Sequence, residues 1–139
     1  MFINELNSRL KYTDFYNMPD INWHLRSFYA TLDNNIVNDY NWLKTFKDKI
    51  HFDLLYDEKK VKLKYIERFI DKYYSRDWYF ILLRQNITPE FINKYYLHIN
   101  CTFDSIFDNK IIYGKILNFG YKLKLEARWH LMVKLKLKI

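Results

Sequence analysis

The chain has few of the residues that break, staple or tighten a fold. Gly114 and Gly120 are its two glycines, and Pro19 and Pro89 its two prolines. An all-β fold needs tight turns every ~8–12 residues, so this scarcity favours helices. Cys101 is the single cysteine. That excludes an intramolecular disulfide and fits a reducing compartment. Alanine occurs only at Ala30 and Ala127, whereas Asn, Lys, Ile, Tyr and Phe, the residues of AT-rich codons, abound. Long hydrophobic runs are absent: the longest, Trp78 to Leu83, falls far short of the ~20 residues of a membrane helix. The start, Met1-Phe2-Ile3-Asn4-Glu5, lacks the basic and apolar segments of a secretory signal, so an intracellular protein is expected.

What the chain does have is apolar mass. Half of its 139 residues are hydrophobic and 20% are aromatic, which is too apolar for disorder and enough for one core. A single domain over residues 1–139 is expected.

Alignment of the chain with itself reveals a repeat. Trp23, Phe52, Trp78 and Phe103 serve as anchors spaced by 29, 26 and 25 residues. Nine residues after each anchor stand Leu32, Val61, Ile87 and Ile112, and thirteen after it Ile36, Tyr65, Phe91 and Ile116. Seventeen after it come Tyr40, Phe69 and Tyr95, and only the fourth unit departs, with Gly120. Offsets four apart lie on one helix face. In the third unit Ser75 is placed to cap a helix running from Arg76 to about Arg84. Thr88-Pro89-Glu90 then supplies a cap, a first-turn proline and an acid at the positive helix end. Each unit reads as two short helices joined by a turn. Helices this short need neighbours, as in stacked repeats.

The third unit, Trp78-x-x-Ile81-x-x-x-Gln85-x-Ile87-Thr88-x-x-Phe91-Ile92-x-x-Tyr95, resembles a tandem repeat of uncharacterised proteins from giant DNA viruses of the mimivirus kind. In that repeat, serines stand where this chain has Leu82 and Thr88. The fourth unit is recognisable, and the first two match loosely, with an insertion around Asn41 to Lys49 that lengthens the second helix of the first. The resemblance covers roughly residues 20–118. It implies a viral helical-repeat protein of the host cytoplasm or virion, and brings no known activity or functional residue with it.

Catalytic constellations are missing. The two glycines stand apart and precede no Gly-Lys-Ser/Thr, which excludes a phosphate-cradling loop. His24, His51, His98 and His130 are scattered; His98 and Cys101 are three apart, but a metal site needs three or four ligands. Asp57-Glu58-Lys59-Lys60 carries a nuclease-like Glu-x-Lys, yet Glu58 reads as opening a helix with Leu63, Ile66, Phe69, Ile70 and Tyr73 on its apolar face. Tyr65, Tyr73, Tyr74, Tyr95 and Tyr96 sit at spacings that suit core packing better than base stacking. No enzyme, metal or cofactor is expected.

Charge gathers at the end of the chain. From Lys115 to Ile139 there are seven basic residues and one acid, Glu126, giving +6 of the total +7. Lys122, Lys124, Arg128, Lys134, Lys136 and Lys138 are the candidate contacts for an anion or nucleic acid. Every odd position from Tyr121 to Ile139 is apolar, and every even one except Met132 is polar or charged. Period-2 alternation of this length predicts a β-strand. The expected fold is therefore mainly α, with stacked helical hairpins over residues 1–118 and a basic amphipathic β segment over 119–139. The expected function is protein–protein interaction, with nucleic-acid binding through the basic segment as the alternative. An unpaired strand needs cover, and mutual cover in a homodimer is the favoured arrangement.

Overall fold

The computed structural model describes residues 38–99 and 109–135, with side chains in the last helix as far as Leu131. Among these residues the structure is mainly helical and holds no strand. The α-helices are α1 (Tyr40–Thr45), α2 (Phe52–Glu58), α3 (Leu63–Ile66), α4 (Ser75–Arg84), α5 (Pro89–Tyr95), α6 (Lys110–Phe119) and α7 (Leu125–Leu135). A 3-10 segment, Glu67–Lys72, continues α3, and a second, Gly120–Lys122, follows α6.

Local chemistry sets the helix starts. Asp39 accepts hydrogen bonds from the amides of Asn41 and Trp42 and so caps α1. Thr88 caps α5 through the Phe91 amide at 3.1 Å, with Pro89 in the first turn, as its sequence predicts. The start of α4 differs from expectation. Ser75 is its first helical residue and is buried, while Asp77 reaches back to the Tyr74 amide at 2.9 Å. Glu58 closes α2 instead of opening a helix, and residues 59–62 are extended before α3 begins. The apolar face foreseen for that helix is nevertheless formed, with Ile66, Phe69, Ile70 and Tyr73 all buried. Over the expected insertion, Asn41 to Lys49, the structure has a short helix, α1, that starts at Tyr40 behind its Asp39 cap, stops at Thr45 and buries Trp42 and Leu43.

These helices are too short to stand alone, and one continuous core joins them. The helix α2 packs along α4. Rings run through the core in sequence: Phe52 stacks on Phe69 at 5.4 Å, meets Tyr73 edge-on, and Tyr73 meets Trp78 edge-on at 5.7 Å. Trp78 then tilts against Phe91. The anchors Phe52 and Trp78 are both buried, and Val61, Phe69, Phe91, Ile112 and Ile116 are buried with them. Tyr40, Tyr65, Ile87 and Tyr95 pack against that core half-buried. Trp23, Leu32, Ile36 and Phe103 lie outside the described residues.

Polar side chains join the helices where the backbone leaves groups unpaired. Buried Gln85, just past α4, accepts from the Val61 amide at 2.8 Å and donates to the carbonyls of Tyr56 and Lys59. Asn38 bonds the Lys60 carbonyl and the Lys62 amide, on either side of buried Val61. Asn93 does the same to the Lys122 carbonyl and the Lys124 amide, on either side of buried Leu123. The extended segments thus clamped, Lys60-Val61-Lys62-Leu63 and Lys122-Leu123-Lys124-Leu125, are near copies of one another, and each leads into a helix.

The C-terminal segment corrects the strand expectation. Leu125–Leu135 is helical, and residues 136–139 lie outside the described ones. The alternating apolar positions divide into two i,i+4 series. Leu123, Ala127 and Leu131 are buried, whereas Tyr121, Leu125 and Trp129 are 94%, 69% and 60% exposed. On a helix these series fall on roughly opposite faces. Leu, Glu, Ala, Arg and Met favour helix, and one sealed apolar series suffices to dock it, so propensity and packing together override the alternation.

Candidate functional site: the C-terminal cationic and aromatic surface

Helix α7 is positioned from both ends of its buried face. Asn93 fixes the segment before it, and the His130 ring meets Tyr96 of the α5 end edge-on at 5.5 Å. Leu125 and Trp129, on the side of α7 turned away from the core, and Tyr121, in the 3-10 segment before it, are exposed. Lys122 and Lys124 are exposed beside them, and the Arg128 guanidinium lies over the Tyr121 ring at 5.4 Å. The strongly exposed Tyr121 is thereby held against α7.

The predicted cationic contacts do not all reach this surface by the same route. Lys122, Lys124 and Arg128 are together at the start of α7. Lys134 belongs to the helix but its side chain, like Lys136 and Lys138 entire, lies outside the described residues. Lys115, counted in the basic tail by sequence, is used internally. Its ammonium donates to the carbonyls of Leu82 and Leu83 at 2.9 Å and of Gln85 at 3.2 Å. It therefore neutralises the negative end of α4, a role shared by Lys60, which bonds the Arg84 carbonyl. Partial burial lowers the Lys115 pKa, and the nearby Lys60 and Arg84 charges add to that.

A second feature is a cleft of about 510 Å³ lined by His51, Phe52, Asp53, Tyr73, Tyr74 and Asp77, with Lys47, Asp48 and Lys72 at its edge. Of the four acids that line it, Asp48, Asp53, Asp71 and Asp77, three are engaged. Lys72 pairs with Asp48, Arg76 pairs with Asp53 at 3.0 Å, and Asp77 holds the α4 start. Burial pushes the Asp77 carboxyl up to about 6, opposed by the Tyr74 amide and reinforced by Asp53. Among the described residues no group of three or more His, Cys, Asp or Glu is placed to hold a metal. His98 is exposed, and Cys101 lies outside the described residues.

The tyrosines divide by burial. Tyr73 is in the core, where its hydroxyl pairs with that of Tyr56 and donates to the Ile66 carbonyl at 2.8 Å. Desolvation raises the pKa of both hydroxyls. Tyr65, Tyr95 and Tyr96 are half-buried, and Tyr74 is exposed at the cleft.

No protein-family model, curated protein or solved structure matches the chain. No described helix is long and apolar enough to cross a membrane.

Proposed function

We propose that the chain is a non-enzymatic helical-repeat interaction module of a large DNA virus, and that its stacked helices hold another protein. The observation that carries this reading is the outer side of α6. Tyr113 and Leu117, four residues apart, are exposed on one face there, with Ile111 exposed further round the helix, while Ile112 and Ile116 are sealed into the core. Lys110 is the one charged residue of α6 on that side, because Lys115 is turned to the α4 carbonyls. An exposed apolar face of this kind suits a protein partner better than a charged ligand.

The repeat arrangement draws support from the clamps. Asn38 and Asn93 each stand fifteen residues after a tryptophan anchor, Trp23 and Trp78, and grip backbone in the same way. The buried Gln85 occupies the glutamine position of the viral repeat and joins two successive units. The viral origin rests on that resemblance and on the AT-rich residue usage.

A photo-crosslinking residue at Leu117, compared with one at exposed Lys44 of α1, tests the function. The expected result is a discrete protein adduct from Leu117 in infected cells, competed by unlabelled protein and lost on Tyr113→Lys. Equal labelling from both positions would refute a specific partner on α6.

A further inference from the structure

The face of α7 differs from that of α6 in one respect, the charge around it. Tyr121, Leu125 and Trp129 follow one another at four-residue steps with most of each side chain in solvent. Lys122 and Lys124 lie between Tyr121 and Leu125 in sequence, and Arg128 lies between Leu125 and Trp129 with its cation on Tyr121. Glu126 is the only acid from Lys115 to Ile139. A helix that shows a Leu and a Trp outward among lysines and arginine has the makeup of an interfacial element. The aliphatic and indole groups enter the acyl boundary, Trp and Tyr favour the headgroup level, and the cations meet lipid phosphate and carboxylate. Here the other side of the helix is already docked through Ala127 and Leu131, with Leu123 buried just before it. The surface is thus presented folded, and binding need not order the helix.

We propose that the surface formed by Tyr121 of the 3-10 segment and by Leu125 and Trp129 of α7, with Lys122, Lys124 and Arg128, docks on the surface of an anionic lipid bilayer. Nucleic acid fits the cations but not the row. Phosphate gains nothing from an exposed Leu125, and Glu126 stands within the same turn. A second copy of the chain would bring like charges to face one another along the contact. Of these three occupants, the anionic bilayer is the one that satisfies both the apolar row and its charge. The inference is independent of a protein partner on α6, and the two can fail separately.

The experiment uses the full chain and flotation with two kinds of vesicle, pure phosphatidylcholine and phosphatidylcholine with about one third phosphatidylserine. Binding to the anionic vesicles is expected to exceed that to the neutral ones by about tenfold or more. Lys122→Gln with Lys124→Gln should remove most of that preference. Leu125→Ser with Trp129→Ser should weaken binding to the anionic vesicles by about tenfold or more. All four side chains are exposed, so unchanged circular dichroism is expected, and brominated lipid provides a readout on the unaltered chain. Its quenching of tryptophan fluorescence should fall sharply in Trp129→Phe. Absence of flotation with anionic vesicles overturns the proposal. So does salt-sensitive binding to duplex DNA without vesicle binding, or a dimer in which Trp129 is shielded from an aqueous quencher.

Discussion

Gln85 and Asp77 are both buried polar residues, yet their free energies respond to different variables. Gln85 satisfies one amide and two carbonyls that no helix of its own would pair. Gln85→Leu keeps most of the volume but leaves those groups buried and unpaired, at about 1–3 kcal/mol for each one that water does not reach. An overall loss of about 2–4 kcal/mol in urea unfolding is expected; a loss below about 1 kcal/mol would mean that water replaces the amide. Asp77 instead makes stability depend on pH. Its folded carboxyl titrates near 6 against 3.8 for the ordinary group, so the folded chain binds that proton more tightly. The resulting stabilisation is full below the unfolded value and is lost as pH rises through about 6. At 1.36 kcal/mol per unit, the loss amounts to about 2–3 kcal/mol. Asp77→Asn keeps an acceptor for the Tyr74 amide and cannot ionise. The variant should match the parent near pH 4 and exceed it by about 1–3 kcal/mol near pH 8. Urea midpoints for both proteins at both values check this, and a difference that ignores pH would show that Asp77 titrates normally.

Among the elements, those written in caps and in i,i+4 spacing were the legible ones. Thr88-Pro89-Glu90 announced α5, and the anchors Phe52 and Trp78 are buried where the self-alignment put them. Less legible was anything decided by the partner of a side chain. Lys115 reads as one more tail cation until α4 brings three carbonyls to it, and Asn93 gives no sign in sequence of the segment it grips 29 residues on. The strand expectation failed because alternation over Tyr121 to Leu131 is also two i,i+4 series, and only burial distinguishes them. Gly120, where the self-alignment lacks an apolar residue, has its own physical reason to be glycine. There φ is +51°, so the backbone after α6 turns through a conformation that L side chains resist. Gly120→Ala should therefore cost about 1–3 kcal/mol. Gly114 lies inside α6, where an added Cβ meets nothing within 4 Å, so Gly114→Ala should stabilise by about 0.5–1 kcal/mol. Thermal melts of the two variants should move in opposite directions; a gain from both would show that Gly120 does not need its positive φ.

Across the whole molecule, α7 closes the core at the end of the described chain and presents its outer row to solvent. Both roles come from α7 and the few residues that lead into it, so deletion and surface substitution must separate them. Ending the chain at Gly120 removes Leu123, Ala127 and Leu131, all buried, together with the backbone that Asn93 clamps. Each fully buried leucine contributes about 1.5–3 kcal/mol, against a net stability of about 5–15 kcal/mol for a domain of this size. The truncated chain should consequently lose at least about 4 kcal/mol, which lowers its urea midpoint well below that of the full chain or leaves it partly unfolded at room temperature. Leu125→Ser with Trp129→Ser alters the same helix only on its exposed side and should leave the midpoint within about 0.5 kcal/mol. Equilibrium unfolding of the three proteins side by side is the measurement. If truncation costs no more than the surface substitutions, α7 is an appendage and its buried series does not close the core. If the surface substitutions cost as much as truncation, Leu125 and Trp129 are not free to meet a partner, because they already pack within the chain.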